Sequence, residues 1–250
     1  MRKGSPGCSL RCLHSDLRKN LRDLVQGYVE HCEVSAHLTG RIDFPLYYMG
    51  FKYGAPVFTH RGPGKATDDR PVVGMIGWNT PASQLPSQIL LQFVEILSQH
   101  PRLAGTTVLR MLPVANPVAL ELDEDAPSRE EWDTLELLST QFKDQAADGW
   151  IEVHAADVRK FRLAGEISPA LYQMLEDAKE IASARERSGV RFPDDIRVKP
   201  VREDERWQLR LLVPAAWDDS HSVSAVARFL ARVVHAQSRI SGRLSRTSRR

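Results

Sequence analysis

Apolar positions first recur at helical spacing between Asp16 and Cys32. Leu17, Leu21, Leu24, Val25 and Val29 share one side, and His14-Ser15-Asp16 offers a cap before them. The aromatic-rich run Phe44–Gly50 and the short apolar run Ala55–Phe58 follow. They predict a hairpin or two edge strands, with Pro45 and Pro56 at positions an edge tolerates. His60–Arg70 is polar and carries Gly62, Pro63 and Gly64, so it reads as a loop. Pro71–Gly77 is continuously apolar and runs into the turn Trp78-Asn79-Thr80-Pro81. Ser83–Gln99 then aligns Leu85, Ile89, Leu90, Phe93, Val94, Ile96 and Leu97 on one broad face, and Gly105–Val114 is again β-branched and apolar. Strand, helix, strand is the pattern of a buried parallel pair joined by a right-handed crossover.

Beyond this unit, Glu121–Asp125 and Pro127 predict a surface loop, and Ser128 caps a helix through Trp132, Leu135, Leu137, Leu138 and Phe142. Asp148-Gly149 marks a turn into the short strand Trp150–His154, and Pro169 opens a further helix reaching about Ser188. Val198–Val213 holds two extended runs, of which Trp207–Val213 is the stronger, and Ser222–Gln237 forms an amphipathic closing helix. The alternation predicts a three-layer α/β sandwich with a mixed, largely parallel central sheet. One domain is expected from residue 15 to 238, after a flexible N-terminus (1–14) and before a basic tail (239–250).

Charge sharpens this division. Arg239–Arg250 holds five arginines and no acid, and without them the 34 basic residues fall to 29 against 32 acidic ones. The body is thus slightly acidic, and the tail is expected to be disordered, with at most weak electrostatic contacts to nucleic acid or acidic lipid. No apolar run approaches the length of a membrane span, and the basic start Met1–Gly7 has no apolar stretch after it, so neither an anchor nor a secretory signal is read. The three cysteines Cys8, Cys12 and Cys32 are an odd set near one end. Cys8, Cys12 and His14 could share a metal, but no second ligand pair follows at zinc-finger spacing. Reduced thiols in a cytoplasmic protein are the simpler reading.

Leu112-Pro113-Val114-Ala115-Asn116-Pro117, at the end of a predicted buried strand, resembles the PVANP segment of the zinc carboxypeptidase clan, especially its succinylglutamate desuccinylase and aspartoacylase-like branch. The surroundings agree in order: Val72–Leu97 resembles the family's strand, metal loop and helix, and Gly149–Asp157 resembles the strand that ends in a metal-binding histidine. Leu209–Pro214 with the helix after it resembles the part bearing the catalytic glutamate. The resemblance spans residues 45–237. It implies a zinc held by a His-x-x-Glu pair and a distant histidine, with a metal-bound water as nucleophile.

The chemistry does not follow the scaffold. The His-x-x-Glu pair should fall near Gly77–Pro81, yet Pro71–Leu90 contains no His, Glu, Asp or Cys. His154 is the only residue matching a family ligand, and one imidazole cannot hold zinc tightly; Glu152 or Asp157 could pair with it instead. Leu212 stands where the resemblance puts the general-base glutamate, and a leucine cannot activate water. The family's substrate-binding arginine segment corresponds to Leu122–Trp132, where Arg129 is the one basic residue among five acids that would repel an anionic substrate.

No Gly-x-Ser-x-Gly elbow, P-loop or dinucleotide fingerprint is present, and His60–Lys65 lacks the context of a phosphate loop. Trp78 and Trp150 lie at or near strand ends, where they are expected to fill a vacated zinc pocket with apolar bulk. The sequence thus predicts a non-catalytic homologue that binds a protein or small molecule, with Trp78, Asn79, Thr80, Asn116, Arg129, His154 and Leu212 around a vestigial cleft and no cofactor. The rival expectation is a zinc-dependent hydrolase of a small acyl-amino acid or peptide amide, its ligands relocated to His60, His154 and Asp157.

Overall fold

The computed structural model describes residues 19–48, 51–63, 70–79, 83–117, 138–169, 171–175, 190–202 and 205–247. The first helix, α1 (Lys19–Val34), leads into β1 (Leu38–Tyr48) and β2 (Phe51–Arg61). These two strands form the expected hairpin, but its ladder begins at Leu38↔His60, ahead of the aromatic run, and shifts register between Asp43 and Leu46. Pro45 falls within that shift, where a missing backbone N–H breaks no ladder.

The crossover unit consists of β3 (Val72–Trp78), α2 (Leu85–Gln99) and β4 (Val108–Leu112). β3 and β4 pair in parallel from Val72↔Val108 to Ile76↔Leu112. Burial of five consecutive residues in β3 explains its unbroken apolar run: both faces of this strand are covered. Then come β5 (Gly149–Ala156), β6 (Arg162–Ile167), β7 (Asp195–Pro200), β8 (Trp207–Pro214) and the long helix α3 (Ser220–Thr247).

All eight strands join one mixed sheet in the order β1-β2-β4-β3-β5-β8-β6-β7. Its middle, β4-β3-β5-β8, is parallel throughout, so these strands end along one edge. Strand β2 of the hairpin is antiparallel to β4, and β6 is antiparallel to β8. Helices α1, α2 and α3 share one core against one face, through residues such as Leu21, Tyr28, Phe93, Leu97, Phe229 and Val233. The helical residues 138–144 cover the opposite face, where Leu138 and Phe142 pack on Val57, Ile76, Leu112 and Ala115. The fold is therefore the predicted three-layer α/β sandwich.

Two readings change. Strand β6 had no expectation, because Ala164, Gly165 and Glu166 interrupt any apolar alternation. Its backbone is held by β8 on one side and β7 on the other, while Leu163 and Ile167 enter the core. The expected unstructured tail is also corrected: α3 continues through Thr247. Asp219 starts this helix by accepting hydrogen bonds from the His221 and Ser222 amides, each 3.0 Å. Once nucleated, a helix gains one hydrogen bond per added residue, and the arginines of this segment suit the negative end of the helix dipole.

Residues 169 and 171–175 are helical at the start of the helix predicted from Pro169. Thr80, Arg129, the acidic segment before the helical residues 138–144, and Cys8, Cys12 and His14 lie outside the described residues. No helix among the described residues is long and apolar enough to cross a membrane.

Candidate functional site

The shared edge of β3, β5 and β8 is where an open α/β sheet concentrates its binding groups. Registration brings the predicted residues together there. Trp78 pairs with His154 and His154 with Leu212, one row across three strands. Two rows back on the same face stand Ile76, Glu152 and Arg210. Since side chains alternate along a strand, Glu152 and His154 project from the same face of β5, and Arg210 stands beside Glu152 on β8.

Glu152 is the hub of the site. It is only 4% exposed, and its carboxylate meets three basic groups. Lys143, on the helical segment over this face, places Nζ 2.5 Å from Oε1. Arg210 Nε donates to Oε2 at 3.0 Å, and His154 Nε2 lies 3.3 Å from the same oxygen. Burial by itself would raise the Glu152 pKa. The hydrogen bonds from His154 and Lys143, together with their charges, outweigh burial and lower it from 4.5 to about 2. A carboxylate accepts but cannot donate, so the contact fixes the proton of His154 on Nε2.

The Trp78 ring stacks on the His154 ring, with centroids 5.6 Å apart and planes 11° from parallel. Trp78 thus confines the imidazole from the β3 side, where the resemblance implied a metal loop. Trp150 has a different role. It is opposite Gly74 in the register, two rows from Glu152, and carries Lys143 Nζ 5.5 Å above its ring. It steadies the lysine and does not line the cleft.

Asn79 is buried and binds the edge together. Its amide nitrogen donates to Ser87 Oγ at 2.5 Å and to the Pro113 carbonyl at 3.2 Å, and its Oδ1 accepts from the Ser87 amide at 3.2 Å. Ser87 Oγ also donates to the Pro113 carbonyl at 2.6 Å. One asparagine therefore connects the end of β3, the first turn of α2 and the segment after β4. Gly77 makes this approach possible: a Cβ there would lie 2.2 Å from the Pro113 oxygen. The Ala115 amide in turn donates to the Gly77 carbonyl at 2.9 Å, which holds Asn116 at the cleft.

The resulting cleft of about 420 Å³ is lined by Trp78, Asn79, Asn116, Lys143, Glu152, His154 and Arg210, with Ser139, Thr140 and Ala155. Four predicted residues, Trp78, Asn79, Asn116 and His154, converge on it. Leu212 shares the row of Trp78 and His154 and is half-buried, but it does not line the cleft. The expectation of a filled-in pocket is corrected: an open cleft remains, and its buried carboxylate is neutralised by basic side chains. Lys143 and Arg210 were absent from the sequence reading. A signal for Arg210 existed in a lone charge within the apolar run of β8; Lys143 arrives on a helix whose docking no local pattern reveals.

The donor set does not fit zinc. His154 Nε2 and both oxygens of Glu152 are engaged, and an ammonium sits against the carboxylate. Among the described residues no three His, Cys, Asp or Glu side chains are grouped to hold a metal. The relocated set of His60, His154 and Asp157 is not assembled either. His60 faces Leu109 near the start of β4, whereas His154 lies near the end of β5, so they stand toward opposite edges of the sheet.

Similarity to known proteins is confined to structure. No family model matches the chain, and no curated protein matches it in sequence. A Shewanella denitrificans protein described as a candidate metallopeptidase aligns over 89% of this chain and 90% of its own, with a TM-score of 0.56 and 12% identity. A metallo-carboxypeptidase from Burkholderia cenocepacia aligns over 91% of this chain and 70% of its own, with a TM-score of 0.55 and 10% identity. A Pseudomonas aeruginosa metallo-carboxypeptidase, solved with (2-guanidinoethylmercapto)succinic acid, gives 0.52 over 89% and 68%, with 12% identity. The sheet order, the crossover unit and these alignments agree: this chain has the fold of the metallo-carboxypeptidases.

Proposed function

We propose that this protein is a non-catalytic homologue of the zinc carboxypeptidases and desuccinylases, and that it works as a binding protein through the cleft at the ends of β3, β5 and β8. One observation carries the reading: the position matching a family zinc ligand, His154, is committed to Glu152, whose other partners are Lys143 and Arg210. An ammonium and a guanidinium supply the positive charge that a metal would otherwise bring. Neither offers an open coordination position or lowers the pKa of a bound water, so no nucleophile is generated. Leu212 provides no general base in the row where the resemblance implied one. The paucity of cysteines, three in 250 residues, favours a reducing cytoplasmic setting.

Metal analysis tests this directly. Protein dialysed against a mild chelator should hold well under one zinc per chain. It should not hydrolyse N-acyl amino acids or C-terminal peptide bonds when zinc is added back. Stoichiometric zinc surviving dialysis, or zinc-dependent turnover, would overturn the non-catalytic reading.

A further inference from the structure

We propose that the basic end of α3 docks, in a second copy of this chain, into an acid-rimmed groove between α1 and α2. The groove is remote from the cleft and independent of its function. It lies on the helix layer, whereas the helical residues 138–144 beside the cleft cover the opposite face of the sheet. Its volume is about 640 Å³, and it is framed by the last turns of α1, one side of α2 and the start of α3. Gly27, Val34, Leu91 and Val223 form the apolar part of its lining. Val34 is 80% exposed, the one large apolar side chain left in solvent among the described residues, so this surface lacks a cover. The charges are one-sided. Glu30, Glu95 and Asp218 line the groove, and no lysine or arginine does. Glu30 accepts from Gln26 at 2.9 Å, and Glu95 accepts from Gln92 and Gln99, all neutral amides. None of the three carboxylates is paired with a basic side chain among the described residues. The C-terminal end of α1 adds the negative pole of a helix dipole.

A complementary partner brings positive charge and a little apolar surface, and the chain itself carries such a segment. Arg239–Arg250 holds five arginines and no acid. Arg239, Arg243 and Arg246 recur at helical spacing, and Ile240 and Leu244 repeat four apart beside them. Like charges at that spacing repel one another, so this end of the helix gains from a surface that supplies carboxylates. It cannot reach the groove of its own chain. Helix α3 runs 28 residues from Ser220 to Thr247, about 40 Å at helical rise, and Ser220 and Val223 at its start line the groove. The contact is therefore made between copies, head to tail.

Sedimentation velocity on the full chain, over a concentration series at low ionic strength, tests this. The weight-average mass should rise above that of a monomer and return to it in about 0.5 M salt. A chain ending after Ser238 keeps the groove and loses the arginines, and Glu30→Gln with Glu95→Gln does the reverse. Each variant alone should stay monomeric, and mixing the two should restore a one-to-one complex, a result that only a head-to-tail contact predicts. A fluorescent peptide of residues 236–250 should bind the chain ending after Ser238 with a dissociation constant below about 100 μM. Glu30→Gln with Glu95→Gln in that chain should weaken the peptide about tenfold. A full chain that is monomeric at every concentration, association that persists in both variants, or a mixture that forms no complex would overturn the proposal. So would a peptide that ignores the protein but sediments with phosphatidylserine-containing vesicles, which would assign the arginines to a membrane surface.

Discussion

Replacing Glu152 by Gln preserves shape and removes one charge, so it isolates the electrostatic part of the cluster. Folding lowers the pKa of this carboxyl from 4.5 to about 2. A shift of that size corresponds to roughly 3 kcal/mol of native-state stability. The side chains that lower it, His154 and Lys143, are each 25% exposed, so solvent screens part of it and about 2–3 kcal/mol is the better expectation. The sign follows from the lowered pKa. The native state holds the ionised carboxylate more favourably than the unfolded chain, so the contribution is complete above pH 4.5 and disappears as the pH falls toward 2. Thermal and urea unfolding of wild type and Glu152→Gln should therefore differ by roughly 5–10 °C in Tm at pH 7. The gap should narrow from pH 4.5 downward and nearly close near pH 2. Equal stability at pH 7 would refute the reasoning, and so would a gap that persists unchanged in acid. The latter result would mean that Gln costs stability through packing and not through charge.

Asn79→Ala should cost about 2–3 kcal/mol in urea unfolding, because it leaves the buried Ser87 amide without its acceptor; an unchanged midpoint would dismiss the network as incidental. Gly77→Ala should cost about 3 kcal/mol, since the new methyl must push the Pro113 carbonyl away from β3, and a variant within error of wild type would contradict the close approach. Burial, with a smaller contribution from His37, lowers the His60 pKa from 6.5 to about 4, so its contribution to stability is present above pH 6.5 and is lost as the pH falls to 4. His60→Leu should match or exceed wild type at pH 7 by differential scanning fluorimetry and lose less between pH 6.5 and 4; parallel acid profiles would count against this account. Ending the chain after Ser238 should shift stability by less than about 1 kcal/mol, since Gln237 to Ser168 and Ser238 to Leu103 are retained, and a larger loss in thermal melts would assign a structural role to the last turns of α3.

Much of the scaffold could be read from the chain alone, because a strand buried on both faces needs a continuous apolar run, a strand buried on one face alternates, and a helix buried on one face repeats at helical period. Val72–Gly77, Leu85–Leu97 and Trp207–Val213 each carry such a pattern, and each is the element it predicts. Chain order around the PVANP segment was also enough to anticipate the convergence of Trp78, Asn79, Asn116 and His154. The absence of metal ligands after β3 was a fact of composition. Strand β6 escaped because its register is imposed by neighbours on both sides and not by its own side chains. The extension of α3 escaped because sparse apolar residues signal little burial, yet they do not stop a nucleated helix. The electrostatics of the cleft belonged to tertiary structure altogether. Lys143, Glu152 and Arg210 come from a helix and two strands separated along the chain, and a charge has no periodicity that names its partner. Local pattern determined where the sheet would present its edge. Only the docking of the helical residues 138–144 and the register of β5 against β8 decided that a carboxylate on that edge would be held by lysine and arginine, because Coulombic pairing depends on distances that the fold alone sets.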